Sequence, residues 1–179
     1  MKSLFFFSTG LFLPFVFVLS VSAAEPEDFR SFDRFRTAVS SVPGWVEKED
    51  KYLTFTPKEL PYIIGKSATE YEKQGLKKGV SLLLLNGGKM LEIYLNDFGK
   101  FSRAKGMLYK RIKSASNPKE APQFNVAPAY CDSVAGGCVA YWAKGNLYVE
   151  MSLSGYGSFD GAISDATILI DKISSAFSK

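Results

Sequence analysis

Apolar positions along this chain change their spacing several times, and each change marks an element. Phe32, Phe35, Val39 and Val42, with Phe29 nearby, lie on one side of a helix that Pro43-Gly44 ends. Trp45 to Thr56 reads as two short strands around Glu49-Asp50. Thr56-Pro57-Lys58-Glu59 then has the form of a capping box with proline at the first helical position. Leu60, Ile63, Ile64, Ser67, Ala68 and Tyr71 follow at helical spacing up to Gly75. Pro61 is awkward in that run and offers a second start for the helix, after a looser turn.

Val80 to Leu85 and Lys89 to Leu95 are apolar runs joined by Asn86-Gly87-Gly88, a strong hairpin signal. A helix with Phe101, Ala104, Leu108, Ile112 and Ala115 as its apolar stripe comes next, and Asn117 to Pro128 reads as a loop. Cys138 to Ala143 and Leu147 to Leu153 form a second hairpin around Lys144-Gly145-Asn146. A last helix carries Phe159, Ile163, Ala166, Ile170, Ile173 and Phe177.

The two hairpin-plus-helix units align without a gap at an offset of 58 positions. Gly87 meets Gly145, Leu91 meets Val149, Glu92 meets Glu150, Leu95 meets Leu153 and Phe101 meets Phe159. The expected fold is α+β: a mainly antiparallel sheet with packed helices, built around two ββα repeats at about 80–115 and 138–173. Leu91, Ile93 and Leu95, with Val149, Met151 and Leu153, are expected on a buried face. The helices from Phe101 and Phe159 are expected to pack on that same face. Glu92, Tyr94, Tyr141, Tyr148 and Glu150 fall on the other, partly covered by one of the first two helices.

Met1 to Ala24 has a basic start, an apolar stretch and small residues before a polar segment, the three parts of a secretory signal. Cleavage after Ala24 leaves 155 of the 179 residues, length for one domain over 25–179. Lys2 is the only charge removed, so the net charge falls from +4 to +3, too mild to imply nucleic acid. The mature chain is expected to carry no transmembrane segment and to work in the periplasm or outside the cell.

Cys131 and Cys138 are the only cysteines, and in an oxidising compartment they read as a disulfide. The chain has no histidine, which excludes Ser-His-Asp and Cys-His chemistry and weakens any metal site. Gly65-Lys66-Ser67 lacks the phosphate-loop glycine five positions earlier, where Leu60 stands. No cofactor or metal is implied. Glu92 and Glu150, equivalent in the repeat, are the candidates for an acid-base pair or, with Tyr94, Tyr141 and Tyr148, for ligand contact. Lys100, Arg103, Lys110 and Arg111 cluster on one side of their helix and form a candidate docking face for an acidic partner.

Three segments carry a family resemblance. Leu60 to Tyr71, with Tyr62-Ile63-Ile64-Gly65 at its centre, resembles a Tyr-Ile-x-Gly-x-Ala helix. Ile93-Tyr94-Leu95-Asn96-Asp97-Phe98-Gly99, with Ala104 and Gly106, looks like the same family's strand-to-helix segment. Tyr141-Trp142-Ala143-Lys144-Gly145 is similar to its Phe-Trp-x-x-Gly hairpin. The family consists of uncharacterised exported bacterial proteins that share a domain of unknown function. The resemblance spans roughly Leu53 to Lys172 and departs at Ile64 and Lys66, where the family's helix is more polar and smaller. It implies export and no particular activity. The leading functional expectation is therefore a non-enzymatic cell-envelope module binding an unknown ligand or protein. A carboxylate-dependent hydrolase and an accessory subunit of an envelope complex are the alternatives.

Overall fold

The computed structural model describes residues 30–177, so the expected leader lies outside the described residues. Helix α1 (Arg30–Ser40) precedes two short strands, β1 (Val46–Glu47) and β2 (Leu53–Phe55). Then come α2 (Leu60–Ile64), a tight turn over Gly65–Ser67, and α3 (Ala68–Gln74). The first hairpin is β3 (Lys78–Asn86) and β4 (Lys89–Asp97), followed by α4 (Phe101–Ser114). Strands β5 (Pro118–Glu120) and β6 (Ala129–Val134) lead into the second hairpin, β7 (Gly137–Lys144) and β8 (Leu147–Ser154), and α5 (Phe159–Ala176) follows.

All eight strands join one antiparallel sheet in the order β1-β3-β4-β8-β7-β6-β5, with β2 also paired to β3. The fold is α+β, and its two hairpins share one register. Val80, Leu82 and Leu84 oppose Leu95, Ile93 and Leu91, while Cys138, Ala140 and Trp142 oppose Leu153, Met151 and Val149. In each hairpin the first turn residue is a glycine of positive φ, Gly87 at 58° and Gly145 at 57°, a conformation glycine adopts without a Cβ penalty. β4 pairs with β8 from Met90↔Ser154 to Asp97↔Leu147. Leu91↔Leu153 and Leu95↔Val149 exchange under the 58-residue offset, as a pseudo-dyad normal to the sheet requires.

Helices cover both faces. α1 and α5 pack on the face of Leu82, Leu84, Leu91, Ile93, Met151 and Trp142, all buried. α2, α3 and α4 pack on the other, with Phe55, Phe98, Tyr141 and Tyr148. The helices from Phe101 and Phe159 therefore lie on opposite faces, contrary to the expectation from the repeat. The cause sits in the strand-to-helix turns. In the first unit the residue of positive φ is Gly99 (69°); in the second it is Gly155 (83°), two aligned positions earlier, where the first unit has Asp97. The Asp97 carboxylate instead accepts the Gly99 N–H at 2.7 Å and the Asn146 side-chain amide. Phe98 consequently turns into the α4 core, and its counterpart Tyr156 turns into the α5 core.

Two further expectations change. The helix expected from Thr56 to Gly75 breaks at Gly65 (φ 62°). Its start is at Leu60, beside Pro61, while the Glu59 carboxylate accepts the Thr56 N–H at 2.7 Å, one half of a capping box. The segment read as a loop holds β5, and β6 follows it. β5 is a three-residue edge strand with a proline and two charges, so it has no alternating apolar signal.

Replacing Gly155 with Ala tests the turn. A Cβ there would lie 2.3 Å from the Gly88 carbonyl oxygen, at a φ that L-residues avoid. The backbone conformation alone should lower stability by about 1–3 kcal/mol. Gly157→Ala, with no neighbour within 4 Å of its Cβ and no positive φ, should be close to neutral in the same denaturant titration.

Candidate functional site

Cross-strand pairing arranges the α4 face into rows, because partners in an antiparallel sheet point the same way. The central row runs Leu53, Ser81, Tyr94, Glu150, Tyr141, Tyr130 and Glu120 from β2 to β5. The next holds Leu83, Glu92, Ser152, Val139 and Asp132. The outermost holds Val46, Leu85, Met90, Ser154, Gly137 and Val134. Glu92 and Glu150 therefore share the α4 face, on neighbouring strands, as their repeat positions imply.

Their surroundings differ. Glu150 lies under α3 and α4, where Arg111 donates two hydrogen bonds to it, Nε at 3.1 Å and Nη2 at 2.8 Å. The Tyr148 hydroxyl donates at 2.8 Å and Tyr71 reaches to 3.5 Å. Burial works against the Arg111 charge, but the hydrogen bonds and charge of Glu150 outweigh it and hold the guanidinium pKa above its usual value. Burial, then the Glu150 charge, pushes the Tyr141 phenol up to about 12. Tyr71, Tyr94 and Tyr148 are raised first by burial as well, so the cluster is four protonated phenols around one paired carboxylate. Tyr141 and Tyr148 are buried under the helices rather than displayed on the face.

Glu92 is the open carboxylate. It accepts the Tyr94 hydroxyl at 2.8 Å and faces a cleft of about 330 Å³ with Lys51, Leu53, Tyr62, Ile63 and Ser81. Tyr94 also borders a smaller cavity of about 110 Å³, against Ser67, Tyr71, Arg111 and Glu150. The two carboxylates thus open on separate cavities with Tyr94 between them. Lys51, Tyr62 and Ser81 were not singled out from the sequence. Tyr62 carried a usable signal: it is an aromatic residue off the Leu60-Ile63-Ile64 stripe, and it is 91% exposed.

The basic cluster of α4 does not form one surface. Arg111 turns inward to Glu150, and Arg103 packs its guanidinium against Gly75. Lys100 and Lys110 remain exposed. Cys131 and Cys138 also depart from expectation. They stand diagonally on β6 and β7 as two buried thiols 4.2 Å apart, with no disulfide. The hydrogen bond between the two thiols, then burial, pushes the Cys131 thiol up, and the same hydrogen bond draws the Cys138 thiol down against its burial. Among the described residues no group of three metal-ligating side chains converges, and no helix is long and apolar enough to cross a membrane.

Removing one partner of the Arg111–Glu150 pair should leave a charge beneath the helices. The side chains keep 28% and 17% exposure. Arg111→Met should therefore cost about 2 kcal/mol, less than the 3–5 of fully buried pairs. Arg111→Met with Glu150→Leu should recover most of it in equilibrium unfolding. A thiol reagent should label neither cysteine in the folded protein and both after denaturation.

No family model and no curated protein matches the chain. Among solved structures, the extracellular domain of PknH from Mycobacterium tuberculosis is similar at 13% identity and a TM-score of 0.46, over 80% of this chain and 91% of that one.

Proposed function

We propose that this is a non-enzymatic module of the cell envelope that binds a protein partner through the uncovered part of its α4 face. Export rests on the leader pattern from Met1 to Ala24. The observation that carries the binding reading is the outermost row of that face. Val46 is 68% exposed, Leu85 37%, Met90 43% and Val134 39%, with Leu83 and Val139 half-buried behind them. An antiparallel sheet facing water normally alternates polar residues on its open side. This row is instead mainly apolar, edged by Tyr62 and Glu92, the composition of an interface core with a polar rim.

The acid-pair alternative loses its geometry. A general acid or base needs a carboxyl free to exchange its proton, and both Glu150 oxygens are held by Arg111. Glu92 alone has no second carboxylate in its cleft.

Leu85→Lys with Met90→Lys places two charges on the row without touching the core. Circular dichroism and melting should match the wild type. Cross-linking capture from the native envelope should lose the partner recovered with the wild type. Affinity for that partner, once purified, should fall by at least about 2 kcal/mol, roughly thirtyfold. Equal capture by the folded double variant would overturn this assignment of the surface.

A further inference from the structure

A second concave surface lies at the β5 edge of the sheet, independent of the row just described. One wall is α4, where Phe101, Lys105 and Tyr109 follow one another at four-residue intervals and so share a side of the helix. Pro122 and Pro128 line the groove as well, with Tyr130 and Glu120. It encloses about 540 Å³, within the range of roughly 300–1,000 Å³ typical of small-ligand sites.

The groove carries one charge of each sign. The Lys105 ammonium lies 5.9 Å from the Phe101 ring centre and 5.5 Å from that of Tyr109. It forms no ion pair with any described residue. Nor does Glu120, and although both line the same groove they are more than 4.0 Å apart. Lys105 is half-buried and Glu120 is exposed, so the groove presents one charge of each sign without contact between them. A groove with separated, uncompensated charges of both signs and aromatic walls complements a zwitterion with an apolar body. A polyanion would meet Glu120, and a flat anionic surface would not enter the concavity.

We propose that this groove binds a short peptide with both ends free. Its C-terminal carboxylate pairs with Lys105, its α-ammonium pairs with Glu120, and its side chains lie on Phe101, Tyr109 and Tyr130. The prolines stiffen the opposite wall, which reduces the ordering cost of binding.

The test uses the purified chain and the tripeptide Ala-Phe-Ala, followed by calorimetry or by chemical-shift changes at Tyr109 and Tyr130. The free tripeptide should bind, and either C-terminal amidation or N-terminal acetylation should weaken it about tenfold. Lys105→Met should abolish the amidation penalty and keep the acetylation penalty. Glu120→Gln should do the reverse. Both side chains sit on the surface, and circular dichroism checks that the variants fold. No binding at millimolar tripeptide, equal binding of all three peptides, or penalties that the two variants leave unchanged would each overturn the proposal.

Discussion

The pairing of β4 with β8 is the contact on which the rest of this molecule depends. It joins two hairpins that are otherwise complete units, and its register aligns their apolar positions. Leu91, Ile93 and Leu95 on one strand and Leu153, Met151 and Val149 on the other become one buried surface. A slip by one residue would send each set to the opposite face, because side chains alternate with a period of two. That register also fixes the α4 face. It places Tyr94 opposite Glu150 and Glu92 opposite Ser152, so the positions of these candidate residues follow from one strand pair.

The same symmetry ends abruptly at the helices. A duplicated unit with both helices on one face would leave the other face of a wide sheet bare. Here α5 joins α1 on one side and α4 joins α2 and α3 on the other, so both faces gain a core. Arg111 and Glu150 fasten α4 to the centre of the sheet. The Asp132 carboxylate fastens the chain just beyond α4, accepting the Ser116 and Asn117 N–H groups at 2.9 and 3.0 Å. These polar contacts act at both sides of a roof whose apolar contribution comes from Ala104, Met107 and Leu108. Lys89 and Tyr156 do the corresponding work for α5 through Asp165, at 2.9 and 2.6 Å.

Much of this was legible from spacing alone. The hairpin turns, the buried strand positions and the shared face of Glu92 and Glu150 follow from period-two alternation and the internal offset. What the sequence hid has physical reasons. Helix placement turned on which glycine took a positive φ, and Gly99, Gly155 and Gly157 look alike in one dimension. Arg111 read as a surface cation because a helix stripe does not reveal a carboxylate on the strand below it. Tyr141 and Tyr148 read as display residues because alternation tells which face they take, not whether a helix covers it. β6 escaped notice because its α4-face positions, Tyr130 and Asp132, are polar enough to resemble a loop.

The charges of α4 show how the site was divided rather than concentrated. Helical spacing puts Lys100, Arg103, Lys110 and Arg111 on one side of α4 and Lys105 on another. Their partners then separated them. Arg111 became part of the core, where its charge is matched and its role is to hold the roof. Arg103 packed beside the α3 terminus. Lys105 stayed over two aromatic rings without a counter-charge, in a groove that also keeps Glu120 unpaired. A patch of equivalent cations would attract any acidic surface. A single uncompensated amine in an aromatic groove restricts what can satisfy it. The same division runs through the carboxylates, Glu150 being satisfied within the fold and Glu92 left open toward the uncovered row. In both pairs the group that the fold leaves without an ion pair lies on a concave surface lined by aromatic rings, where desolvation strengthens whatever pairing a bound molecule provides.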